Sequence, residues 1–508
     1  MKRVSNSFIN IFLAILILVS IIGSVQLLPE IFNQTTKLFV YFFDILMIII
    51  AVTLLSKKTQ QLIVRLFSWF NEHISMKSFW LTAFGLIILW QMSSVFLISG
   101  TCFWDWQVIV ERAMGNKDAL PNYFSVFPNN LFLLKIDNAI WHFLGHTDEK
   151  CFILALNLIN TLVIDLGTFL VWKVIKRQSL SVSNNISYIF LLMIYTLTPW
   201  VVIPYSDTWA FLFCALILYF STYFGTFDSL WGYVIYASLL ALIFNLAYFI
   251  KPTVFIILIA GSLILLLKLC TDKFWRKKYL KQLFMFGIIF CLTFCFIFVG
   301  FKTYLYQHNG IEKINTNMSM PLTHFMAMGM KGNGGFDFDD NAKHQAMGDW
   351  KQINDDSIHL IKKRYREFNG FAGYQKFLFN KQILNTSDGT LGWGHEGGFL
   401  HVFESDDNLK NHSIQRKMYL NNGNASTDKG DYRFIQQIFW IMILISILGS
   451  LKDASWFSQF LKYSAVGFFT FLLLFEGGRS RYLIQFLPIL LVLSNLGIKV
   501  LFKDKSLN

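Results

Sequence analysis

The chain is short of charge. Only 15% of its 508 residues are Asp, Glu, Lys or Arg, against about 25% in a soluble globular protein. With 55% hydrophobic residues, that shortage excludes an ordinary water-soluble fold. Paired cysteines are missing as well. The six present (Cys102, Cys151, Cys214, Cys270, Cys291 and Cys295) include no CxxC and no metal-ligand spacing. Most sit in or beside apolar stretches, as small buried residues do. Cys102 and Cys151 flank one polar loop and form the pair that an oxidising compartment would bridge. No glycine-rich stretch is followed by Lys-Ser or Lys-Thr, so a nucleotide phosphate loop is absent. Internal repeats and low-complexity tracts are absent too.

What the chain has is apolar blocks. About twelve are long enough to be spans of about 20 residues, at roughly 8–29, 38–55, 78–99, 151–172, 186–203, 207–225, 231–249, 253–269, 283–301, 434–450, 463–476 and 482–501. Lipid cannot satisfy a backbone N–H or C=O, so such blocks read as helices. The expected fold is an all-α polytopic membrane protein with a small mixed domain outside the bilayer. The first span has a basic start but no small-residue cleavage site after Leu28-Pro29, and reads as a retained anchor.

A net charge of +13 raises the question of nucleic acid. Its distribution answers it. With the N-terminus inside, the inner segments carry Lys2 and Arg3; Lys57, Lys58, Arg65 and Lys77; Lys173, Lys176 and Arg177; Lys268, Lys273, Arg276, Lys277, Lys278 and Lys281; and Lys499, Lys503 and Lys505. The short outer loops carry few, such as Lys37, Lys251, Arg479 and Arg481. This is the positive-inside pattern, and it places both termini in the cytoplasm with the large loops outside. It calls for a lipid bilayer and no nucleic-acid partner.

The chain then divides into N-terminal spans (1–99), a first outer loop with an interfacial helix (100–150), central spans (151–301), an extracytoplasmic domain (302–433) and C-terminal spans (434–508). The 302–433 segment is rich in Gly, Asn, Asp and His, and too short for an independent enzyme. It is expected to pack over the membrane part. Its stretch Ile358–Phe379 reads as amphipathic helix.

Candidate chemistry gathers at the outer edge. Asp105 leaves the third span between two tryptophans, with a short interfacial helix behind it and Glu111 six residues on. A carboxylate there suits a general base, or simply caps that helix. Asp207 lies in the turn before the sixth span and is equally a candidate cap. Lys251, before Pro252-Thr253, is an isolated cation whose natural partner is an anion such as phosphate. The turn Glu476-Gly477-Gly478-Arg479-Ser480-Arg481, with Tyr482 after it, offers two guanidinium groups for bidentate phosphate recognition, or two snorkelling anchors. Asp388–Phe399, with His395 and Glu396, reads as a shaped loop over a substrate. His324 and the Asp337–Asp340 cluster are where a divalent cation would bind, although solvated loop carboxylates are the ordinary reading. No cofactor is required by anything in the sequence.

These patches resemble the type C glycosyltransferases, multi-pass enzymes that include protein O-mannosyltransferases and the bacterial aminoarabinose transferase, and most resemble such membrane proteins of Gram-positive bacteria. The resemblance rests on Asp105 with Val108, Ala113 and Gly115 and then Tyr123 to Asn129. It also rests on Leu246 to Thr253, and on Glu476 to Tyr482 with Leu487-Pro488. The family's early motif is often two adjacent acids, whereas Trp106 follows Asp105 here; Glu111 or Asp207 would supply the second. The resemblance implies a polyprenyl-phosphate sugar donor and a cell-envelope glycan, lipid or protein acceptor. Asp105 would act on the acceptor hydroxyl, and Lys251, Arg479 and Arg481 would hold the phosphate. A polysaccharide polymerase would show outer-loop arginines without the early acidic loop. A transporter of lipid-linked glycans would instead place its ionisable residues mid-span, as only Asp44 and Asp165 are.

Overall fold

A segment crossing lipid must satisfy its backbone internally, and the apolar blocks among the described residues do so as helices. The computed structural model describes residues 2–503 apart from 42–43, 46–47, 49–55, 57, 59–60, 63–64, 66–75, 117–119, 179–195, 225–228, 394–398, 405–406, 422–423 and 426–429. Its principal helices are α1 (Lys2–Gln26), α2 (Met76–Ile98), α3 (Asp105–Ala113), α4 (Leu131–Phe143), α5 (Glu149–Gln178), α6 (Ser206–Ser221), α7 (Leu230–Ile250) and α8 (Phe255–Thr271). They continue with α9 (Lys273–Gln307), α10 (Leu322–Met328), α11 (Phe338–Met347), α12 (Trp350–Glu367), α13 (Phe371–Thr386), α14 (Gly430–Gly449), α15 (Trp456–Leu474) and α16 (Leu487–Lys503).

Among the described residues, nine helices are long and apolar enough to cross a membrane. They coincide with nine of the sequence blocks. The block at 207–225 forms the shorter α6, and those at 38–55 and 186–203 fall largely outside the described residues. The all-α polytopic fold is therefore established.

The core sits on α16, whose Leu487 and Ile489 to Leu493 are buried, with α14, α15, α6 and α5 packed around it. At the periphery, α9 buries almost nothing and lies along α7. Phenylalanines four residues apart on α9 (Phe286, Phe290, Phe294 and Phe298) stack in a row at 5.7–6.0 Å, the i,i+4 spacing of one helix face.

The 302–433 segment is tied into the bundle rather than laid over it. The strand Gly100–Cys102 pairs antiparallel with Leu400–Val402, so the first polar loop and the large segment share a small four-stranded sheet. The expected amphipathic helix at Ile358–Phe379 is two helices. Asn369 (φ 54°) and Gly370 (φ 96°) take left-handed backbone and break the run between α12 and α13. Beyond the break, α13 packs against α1 and α15: Gln382 donates to Ser20 at 3.3 Å, and Ser24 donates to the Ser387 carbonyl at 2.9 Å. Those bonds let one helix of a polar segment reach the spans.

Candidate active site

At one end of the bundle, four distant pieces of chain meet: the start of α3, the start of α6, the α7–α8 corner, and the turn between α15 and α16. Asp207 is in the first turn of α6, but it does not cap it. The capping position belongs to Tyr205, which makes no side-chain cap bond. The Asp207 carboxylate instead takes an ion pair from Lys251 and lies 3.5 Å from Arg481 Nε. All three side chains are largely withdrawn from water, so each charge depends on the others. Burial pushes the Lys251 ammonium below its ordinary value, and Asp207 opposes that shift.

Asp105 begins α3, with Trp104 at the capping position and no side-chain cap bond. Its carboxylate accepts from the Tyr205 hydroxyl at 3.2 Å and lies against the Tyr123 hydroxyl. Burial, and then the charge of Asp105, push Tyr205 well above the usual tyrosine range, which keeps it a donor. Among the described residues no cation pairs with Asp105. That separates the two acids: Asp207 stands against cations on two sides, while Asp105 is held by hydroxyls.

Aromatic rings bind the two halves together. The Arg481 guanidinium lies 4.2 Å from the centre of the Trp104 ring, a cation–π contact worth about 0.5–2 kcal/mol. Lys251 lies 5.3 Å from the Tyr482 ring and Arg479 5.7 Å from it. Tyr482 donates to Glu476 at 2.6 Å, and Glu476 is 3.7 Å from Arg479. The arginine pair is thus fixed by rings and acids rather than extended as membrane anchors.

The turn carrying these arginines is held from below by the 302–433 segment. Lys381 on α13 donates to the carbonyls of Gly329 and Phe475, both at 2.6 Å, and to that of Leu473 at 3.1 Å. The Gly478 N–H donates to Asn385 at 2.6 Å, and the Gly477 N–H to the Gly334 carbonyl at 2.8 Å. Asp388 accepts from the Gly392 N–H at 3.0 Å and from Ser480 at 3.4 Å. A side chain on Gly392 would meet the Arg481 backbone at 3.2 Å. The glycine loop expected to cover a substrate therefore supports the arginine turn at its Asp388–Gly392 end. Its other candidates, His395 and Glu396, lie outside the described residues.

A family described as conserved hypothetical integral membrane protein matches residues 1–501. The chain belongs to that family. No curated protein and no solved structure matches it.

This integral membrane protein brings together Asp105, Asp207, Lys251, Glu476, Arg479, Arg481 and Tyr482. Glu111 does not join them. Six residues after Asp105 on a helix, it points elsewhere and accepts from Gln107 at 3.2 Å, while Gln107 also donates to Glu149 at 2.6 Å. The proposed cation cluster is likewise committed. Asp340 takes both arms of Arg364, at 2.7 and 2.8 Å, and Asp337 takes Lys331 at 2.7 Å. His324 meets His344 instead, Nδ1 to Nδ1 at 2.6 Å. Among the described residues no group of three or more His, Cys, Asp or Glu side chains is placed to hold a metal ion.

Sequence reasoning gave no role in the site to Trp104, Tyr123, Tyr205 or Lys381. The aromatic residues resemble an ordinary interfacial belt, and a lysine within an amphipathic helix resembles a surface charge. The signal available was Tyr205 standing two residues before Asp207 in a turn already marked.

Proposed function

We propose that this protein is a membrane glycosyltransferase that moves a sugar from a polyprenyl-phosphate donor to a hydroxyl of a cell-envelope acceptor, on the outer face. The observation that carries the reading is the contrast between Asp105 and the basic cluster beside it. Lys251, Arg479 and Arg481 stand against Asp207 and Glu476, which leaves one positive charge, the complement of a phosphodiester. Asp105 adjoins that cluster as a carboxylate with no cation paired to it among the described residues. The resemblance to type C glycosyltransferases supports the same assignment.

In this mechanism the acceptor hydroxyl gives its proton to Asp105 as its oxygen attacks the anomeric carbon. The bond from that carbon to the phosphate oxygen breaks, and both its electrons leave with the polyprenyl phosphate. Lys251, Arg479 and Arg481 stabilise the charge that grows on the leaving oxygen. Asp207 touches no reacting atom; it positions Lys251 and Arg481. The acceptor, whether glycan, lipid or protein, approaches from the water side.

The test is Asp105→Asn in reconstituted membranes supplied with a labelled polyprenyl-phosphate hexose and a cell-envelope extract. The variant keeps an acceptor for Tyr205 and should fold, yet lose transfer by about a hundredfold or more. Transfer at the wild-type rate removes Asp105 from the mechanism.

A further inference from the structure

The opposite end of the bundle holds a second feature. An apolar cavity of about 340 Å³ runs between α6, α7, α8, α9 and α15, and its lining includes Phe244, Ile257, Gly261 and Phe460. That volume falls within the range of about 300–1,000 Å³ typical of ligand pockets. The cavity reaches Lys268, seventeen residues after Lys251 and so roughly 25 Å away along the helix axis. The two sites are separated by most of a bilayer core.

At this mouth two tryptophans line the cavity, Trp275 and Trp456, and each carries a lysine. Lys268 lies 3.9 Å from the centre of the Trp275 ring, and Lys2 lies 5.2 Å from that of Trp456. The two lysines repel each other. Asp272 offsets part of their field, but its carboxylate is already engaged, accepting the Trp275 N–H at 2.8 Å. Among the described residues neither lysine has an ion-pair partner. Lys2 is exposed and Lys268 half-buried. These two lie over the rings that frame an apolar opening, beside the exposed Lys273, Arg276, Lys277 and Lys278.

We infer that this cavity binds an anionic phospholipid of the inner leaflet, one acyl chain lying between α8 and α15 and the headgroup phosphate between Lys2 and Lys268. The charge distribution that marks this end as cytoplasmic places it in the leaflet where anionic lipids concentrate. Lipid tails are as apolar as the cavity wall, so the wall gives little preference of its own. Selectivity must come from the headgroup, and the two lysines supply it. The inference stands apart from the proposed transfer reaction.

The test is native mass spectrometry of the full chain titrated with phosphatidylglycerol and, separately, phosphatidylcholine of the same chains. Wild type should retain phosphatidylglycerol preferentially. A lysine near the surface contributes a factor of about five, so Lys2→Ala with Lys268→Ala should reduce that retention roughly 25-fold. Gly261→Leu places a side chain in the cavity, where it meets Phe460 in ordinary contact, and should reduce retention of both lipids with the lysines intact. Arg479→Ala with Arg481→Ala should leave phosphatidylglycerol retained. Equal retention of the two lipids by wild type overturns the inference, as does an unchanged preference in the lysine variant. Displacement by glycerol 3-phosphate as effective as by the lipid would also overturn it, since the site would then be one for free phosphate.

Discussion

Tyr205 donates its hydroxyl to Asp105 at 3.2 Å, across 100 residues of sequence. The bond orients a carboxylate that no described cation holds, and it ties the start of α3 to the start of α6. A hydrogen bond to a charged group is worth about 1.5–3 kcal/mol. Tyr205→Phe should therefore lower the transfer rate roughly ten- to a hundredfold while leaving the dissociation constant of the lipid donor unchanged. Steady-state kinetics with a donor-binding assay checks this. A change confined to donor binding would assign Tyr205 to the phosphate side of the site.

Asp207 holds Lys251 and Arg481 where water hardly reaches. Removing one partner of a buried ion pair typically costs about 3–5 kcal/mol, because the other charge stays buried without compensation. Asp207→Ala should accordingly destabilise the protein much more than Arg479→Ala, whose partner Glu476 is also held by Tyr482 at 2.6 Å. Thermal unfolding of the purified variants in one detergent measures the difference. Equal melting temperatures would mean that water enters the Asp207 site.

Gly478 has φ +71°, and a side chain there would meet the Asn333 carbonyl oxygen at 2.8 Å. Gly478→Ala should cost about 1–3 kcal/mol in backbone strain alone. Because Arg479 follows directly, the variant should also weaken donor binding, although no charged group is altered. Donor titration against the wild type tests this.

His324 is 1% exposed, and among the described residues its Nε2 has no hydrogen-bond partner. Burial, and then the neighbouring His344, lower its pKa to about 4, against the ordinary 6.5. Asp340 opposes the shift and Arg364 adds to it; on the far side of the pair, His344 Nε2 lies 2.9 Å from Asp356. The unfolded chain then binds the additional proton between pH 6.5 and 4. Stability from this site is complete above about pH 6.5 and is lost as the pH falls toward 4. His324→Gln should flatten that part of the melting-temperature profile. An unchanged acid slope would place the loss in other groups.

The spans were legible because about 20 apolar residues in sequence already meet the requirement for crossing lipid. Asp105, Lys251 and the arginine turn were legible because charge at a membrane edge is rare enough to stand out. The roles of the acids were not. Asp105 and Asp207 look alike as helix-start acids until Lys251 and Arg481 fold onto one and leave the other to Tyr205. Glu111 seemed a fair second acid by proximity in sequence, yet helix geometry turns it toward Gln107. The support from Lys381 and Asn385 was also unreadable, since it depends on α13 entering the bundle from a segment composed like a soluble domain.

The most direct test of the account is donor binding itself. Purified wild-type protein and the Arg479→Ala/Arg481→Ala variant would be titrated with a polyprenyl phosphate and followed by native mass spectrometry. The account predicts that wild type retains the lipid, that the double variant loses it, and that Asp105→Asn keeps it. Equal retention by wild type and the double variant would contradict a lipid-phosphate site at this turn.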